Sequence, residues 1–118
     1  PPLHQVFGAE RISHGVWQLP LLTAELASPD AALHIGPQHI ALETASTELA
    51  QGLTSNQLQI TDWYVMFVNR GKVGPFVTQG EAFSGSDGRI GTRLNLVDLG
   101  DNHRVVSTSA ATFSSVPN

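Results

Sequence analysis

Between Pro37 and Ala50 the apolar positions recur at helical spacing. At about 100° per residue, Ala41, Leu42, Ala45 and Leu49 fall in one sector of the wheel with Gln38 among them, while His39, Glu43 and Thr47 share another face. Gly36-Pro37 predicts the start of this helix, because a proline in the first turn lacks only an N–H that would have had no partner there. Gly52 predicts its stop, after residue 50 or 51. The small Ala41 and Ala45 let the helix lie close against whatever covers it. Elsewhere Val, Ile, Thr and aromatic residues gather in runs divided by Gly and Asp, predicting strands near 15–26, 60–69, 75–84, 89–99 and 104–115. Gly85-Ser86-Asp87-Gly88 and Gly100-Asp101-Asn102 hold residues that tolerate positive φ, so the last three strands read as an antiparallel meander, with Gly71-Lys72-Val73-Gly74 as a further break. The tail from Ser114 to Asn118 is expected to be loose.

The strand over 60–69 is largely apolar in both of its alternating series: Ile60, Asp62, Tyr64, Met66 and Val68 in one, Thr61, Trp63, Val65 and Phe67 in the other. Such a strand needs cover on both faces. One helix covers one face of a five-stranded sheet, so self-association into a dimer or tetramer, or pairing with a tandem partner, is the simplest way to cover the other.

Composition narrows the classes of function. The 118 residues are 41% hydrophobic, which suits one folded domain over 1–118, and 10 acidic against 6 basic side chains leave a formal charge of -4. That balance speaks against nucleic acid as partner, since affinity for phosphate backbones comes from a surplus of Lys and Arg. No apolar stretch is long enough to span a bilayer, and with no Cys there is neither a disulfide framework nor a thiolate site. Cytoplasm is the default compartment. The opening Pro1 reads as the start of a processed product, or of a piece of a longer parent.

The order strand, loop, long helix, four antiparallel strands resembles the hotdog fold. Leu33-His34-Ile35-Gly36, then Pro37 to Leu42, then Glu43 resembles the helix entrance of hotdog acyl-CoA thioesterases of the phenylacetate-pathway type, which often read Leu-His-Gly-Gly, six residues, then Asp or Glu. Leu94 to Leu99, the Gly100 turn and Val105 to Phe113 resemble the family's closing hairpin. The resemblance implies an α+β hotdog, a five-stranded antiparallel sheet wrapped round one long helix. It also implies hydrolysis of an acyl-CoA or acyl-carrier thioester, with no cofactor beyond the CoA moiety of the substrate and no metal.

On the same terms, Glu43 takes the place of the family's carboxylate, a nucleophile or general base, and Thr47 that of the residue placing the attacking water. The carbonyl-polarising amide falls on Ile35, beside Gly36, where the positive end of the helix dipole suits a developing oxyanion. The family's Asn or Gln seven residues earlier falls on Ser28. Ile35 in place of Gly and the short Ser28 depart from the pattern and favour a narrower or re-aimed pocket. Arg89, in a Gly-Arg turn like the family's, is the first choice for CoA phosphate, with Arg70 and Lys72 next. His39 lies four residues before Glu43, placed for a contact with it or with substrate. Two other functions compete with hydrolysis: a non-catalytic acyl-CoA-binding module, and a hotdog dehydratase or hydratase, whose Gly-Asp-x-Asn-Pro-x-His and His-Phe-Pro segments do not occur in the sequence.

Overall fold

The computed structural model describes residues 8–21, 27 and 32–117. The helix, α1, spans Ile35–Gln51, two residues longer at its start than the proline predicts, with an extended His34 ahead of it and Gly52 closing it through an N–H to the Glu48 carbonyl. Its buried residues are Pro37, Gln38, Ala41, Leu42, Ala45, Ser46 and Ala50. That is the predicted stripe widened by Pro37, Ser46 and Ala50, with Leu49 half-buried at its border.

Six strands, one more than expected, form one sheet: β1 (Glu10–Ser13), β2 (Val16–Leu19), β3 (Leu58–Phe67), β4 (Phe76–Ser84), β5 (Ile90–Asp98) and β6 (Arg104–Ser115). Their order is β1-β2-β4-β5-β6-β3, and every pairing is antiparallel. The extra strand is β1, which lies ahead of the expected segment over 15–26 and pairs with β2 inside it. His14-Gly15 turns the chain between β1 and β2, Gly15 adopting φ +72. A Cβ on Gly15 would also crowd the Leu49 side chain, so the passage under the helix favours the glycine that the turn requires. β2 ends at Leu19, and residues 22–26 fall outside the described part.

α1 packs on one face of the sheet, chiefly against β5, β4 and β2. β5 shows the period of two that this requires: Ile90, Thr92, Leu94 and Leu96 are buried while Arg93 and Asn95 face solvent. The core joins Leu19, Leu33, Leu42, Phe76, Leu94 and Val106, and a smaller cluster of Ala50, Ile90, Ala111 and Phe113 closes the far end. A fully buried side chain such as Leu42 or Phe76 contributes about 1.5–3 kcal/mol by leaving water.

β3 is an edge strand, as β1 is at the opposite side of the sheet, and is paired with β6 alone among the described strands. Tyr64, Met66, Phe67 and Val68 are between 43% and 59% exposed, so the chain leaves much of this apolar strand without the cover its pattern calls for. The tail is less loose than expected: Ser114 and Ser115 pair with Gln59 and Leu58, and the Val116 N–H donates to the Gln57 carbonyl. Among the described residues no helix is long and apolar enough to cross a membrane.

Candidate functional site at the helix entrance and on its exposed face

The start of α1 is tied to the loop between β3 and β4. The Leu33 N–H donates to the Gly71 carbonyl at 2.8 Å, and Gln38 Nε2 donates to the Leu33 carbonyl at 3.1 Å. The loop is in turn organised by Asp98, which is fully buried. Its Oδ2 accepts the N–H groups of Lys72 and Val73, each at 3.1 Å, and its Oδ1 accepts those of Gly74 and Gly100, at 2.8 and 3.2 Å. Neither Asp98 nor Gln38 stands out in the sequence as a site residue, although a glutamine inside an apolar stripe is a signal that a buried amide has a partner to hold.

The first amides of a helix have no acceptor within it. Here His34 supplies no side-chain cap and the first turn carries no acidic residue, and Pro37 has no N–H. The N–H groups of Ile35 and Gly36 are thus the donors that the entrance offers. A cavity of about 340 Å³ opens at Ile35, lined also by Leu33, His34 and Gln38, by Phe67 at the end of β3, and by Asn69 and Arg70. The Ile35 side chain is 61% exposed in its mouth. At Gly36 a Cβ would meet nothing within 4 Å, so the fold itself has no need of glycine there.

Glu43 lies on the helix face that the wheel assigned it and is half-exposed. His39 Nε2 is 3.3 Å from Glu43 Oε2, the contact that the spacing allowed. The His39 ring stacks on Trp63 of β3, with centroids 5.1 Å apart and planes 28° from parallel. Thr47 is exposed one turn beyond Glu43. An amide and a base that act on one carbonyl must each lie within hydrogen-bond reach, about 3 Å, of it or of its attacking water. Ile35 and Glu43 are eight residues apart, about 12 Å along the axis and about 80° round it. One copy of the chain therefore does not bring the two to one carbonyl.

The cations divide between the two ends of the helix. Arg70 borders the entrance cavity, and Lys72 follows in the loop held by Asp98. Arg89 instead lines a shallow depression with Leu53, Leu58 and Ser115, at the Gln51 end of α1, which puts it about 25 Å of helix away from the entrance. There it pairs with Asp87, Nη2 to Oδ2 at 2.9 Å, and this pairing holds the Asp87 carboxyl below its ordinary range. Arg89, the first choice for phosphate, thus stands at the opposite end of the helix from Arg70 and Lys72. Ser28 lies outside the described residues.

A second carboxylate on α1, Glu48, accepts the Gly15 N–H and pairs with Arg11 at 2.8 Å, joining the β1–β2 turn to the helix. Burial alone would raise its pKa, but the Gly15 amide and the Arg11 guanidinium outweigh this and hold it below the ordinary glutamate value. Glu48 is committed to structure, which leaves Glu43 as the half-exposed carboxylate of the helix.

No protein-family model matches the sequence, and no curated protein matches it significantly. Solved structures do. The thioesterase SAV0944 of Staphylococcus aureus superposes with a TM-score of 0.78 at 17% identity, covering 98% of each chain. The PaaI protein of the phenylacetic acid degradation operon of E. coli gives 0.74 at 15% identity, over 97% of this chain and 83% of its own. The BH2602 protein of Bacillus halodurans, solved with CoA, gives 0.76 at 16% identity, over 97% and 75%. One long helix on an antiparallel sheet, matched over nearly its whole length by these proteins, gives this chain the hotdog fold.

Proposed function

We propose that the chain hydrolyses an acyl-CoA or acyl-carrier thioester, acting as an assembly of at least two copies. The observation that carries this reading is the pairing of two uncapped entrance amides with a half-exposed carboxylate on the same hotdog helix, too far apart to serve one carbonyl alone. A second copy resolves the distance by presenting its helix entrance to Glu43 of the first. The open edge of β3 and its exposed Tyr64, Met66 and Phe67 suit a strand that adds to its own copy. Antiparallel pairing of two β3 strands about a two-fold sets the Leu58 end of one against the Phe67 end of the other. The depression holding Arg89 of the partner subunit then approaches the entrance bordered by Arg70, which supports a divided site for CoA phosphates. The CoA bound by BH2602 is in keeping with such a ligand.

In this reading the thioester oxygen rests on the amides of Ile35 and Gly36, where it becomes negative in the tetrahedral transition state. Glu43 takes a proton from water as it attacks and passes it to the departing thiolate as the carbon–sulfur bond breaks, or itself attacks the carbonyl, releasing the thiol and forming a mixed anhydride, which water then hydrolyses to the acid and free Glu43. Thr47 helps place the water. Thiol release from a panel of acyl-CoA esters tests the activity. Glu43→Gln keeps shape but removes the charge, and a loss of about 10²-fold or more is expected, with a smaller loss for Thr47→Ala. Full activity in Glu43→Gln, or a stable monomer by sedimentation at micromolar concentration, would refute the reading. A second reading, a binding module without turnover, is favoured by the branched Ile35 side chain standing in the mouth. Binding of CoA esters without thiol release would select it.

A further inference from the structure

His39 and Glu43 are four residues apart on α1, and an exposed pair at that spacing on a helix is ordinarily loose, worth only a few tenths of a kcal/mol. What differs here is a third member from another element. Trp63 lies on β3, on the same face as Val65 and Phe67, and its ring covers the His39 imidazole in a stacked arrangement at 5.1 Å. A half-exposed imidazole rotates readily about its last torsion, because a bond to a planar ring has a shallow, broad profile. The indole removes that freedom by holding the imidazole near its own plane. Nε2 then lies 3.3 Å from one oxygen of the carboxylate, Oε2 of Glu43, an ion-pair contact.

We infer that Trp63 and His39 are positioning residues for Glu43: the indole fixes the imidazole, and the imidazole N–H fixes one carboxylate oxygen so that the other faces the reacting water or carbonyl. The inference rests on the hydrolase reading for its kinetic consequence and on geometry for the rest. It also ties the alignment of the carboxylate to β3, the strand proposed to pair with a second copy.

Three variants separate positioning from packing. His39→Phe keeps a ring on Trp63 but removes the donor; His39→Gln keeps an N–H at nearly the same reach; Trp63→Leu keeps an apolar side chain but removes the stacking surface. If the carboxylate is held by His39, kcat falls about tenfold in His39→Phe, the scale of one hydrogen bond to a charged group, with KM unchanged. His39→Gln restores most of it, and Trp63→Leu falls between. In a Glu43→Gln background His39→Phe costs nothing further, because the group it positioned has gone. Additive losses, or equal losses in His39→Phe and His39→Gln, would overturn the inference.

A readout independent of turnover is the carboxylate ¹³C resonance of Glu43 in the intact wild-type protein and its variants. It should move in His39→Phe, stay in place in His39→Gln, and move part of the way in Trp63→Leu. A resonance indifferent to His39→Phe refutes the positioning even if the enzyme is active. A resonance that moves in a protein releasing no thiol sustains the positioning and sinks the hydrolase reading alone.

Discussion

Gly36 offers a sharp separation of stability from function. It sits in the first turn of α1, its φ is not among the positive ones, and a Cβ built on it meets no atom within 4 Å. Alanine therefore fits without strain. Replacing a glycine in such a place lowers the entropy of the unfolded chain and improves helix propensity, together about 0.5–1 kcal/mol. For a chain of this size that raises Tm by about 2–4 °C. The methyl group would nevertheless stand beside the amides proposed to receive the thioester oxygen. Displacing the carbonyl by about 1 Å from such donors costs on the order of 10²-fold in turnover. The expected variant is thus more stable and much less active. Calorimetry gives the first quantity, and release of thiol followed with a chromogenic disulfide gives the second. A Gly36→Ala protein with higher Tm and wild-type kcat/KM would show that the carbonyl does not approach the entrance. A lower Tm would show that the space above Gly36 is not open.

Other perturbations probe the parts around it. Arg89→Ala should raise KM for CoA esters and leave short thioesters lacking the nucleotide almost unaffected, since its proposed contact is with phosphate; equal effects on both, seen in parallel saturation curves, would remove Arg89 from the substrate site. Asp98→Asn replaces an acceptor of four backbone N–H groups by one whose amide can satisfy only part of them, so a loss of about 2–4 kcal/mol is expected in urea unfolding, with faster hydrogen exchange at Leu33 as the entrance loosens. Glu48 gives the acid limb of stability a specific source. Its pKa is lower in the folded chain than in the unfolded one, so its contribution is complete above the unfolded value and disappears as pH falls through the folded value. Glu48→Gln should flatten the stability profile on the acid side of the ordinary glutamate range, and an unchanged profile would exclude this source.

Much of the architecture is local in origin and was therefore readable along the chain. The 3.6-residue recurrence of Ala41, Leu42, Ala45 and Leu49 marks the helix and its buried stripe, and the Gly- and Asp-bearing turns at 85–88 and 100–102 mark the meander, because turn chemistry and periodicity depend on near neighbours. The shared face of His39, Glu43 and Thr47 follows from the same period. The β1–β2 hairpin was not readable: Gly15 is favoured by the approach of Leu49, 34 positions later, and nothing in a local window reports that. Asp98 carries no signal of its role either, since its four donors lie in a loop 24 to 26 residues earlier and in the turn just beyond it.

The chemistry divides along the same line. The sequence alone determined which residue types stand at the helix entrance and on its exposed face, because their spacing is a property of one continuous helix. Only the tertiary structure decided that Trp63 lies over His39, that Arg89 stands at the opposite end of the helix from Arg70, and that β3 keeps an open apolar edge. These are contacts or separations between elements distant in sequence, set by the order in which the strands join the sheet, and strand order is fixed by packing across the whole core rather than by any one segment of it.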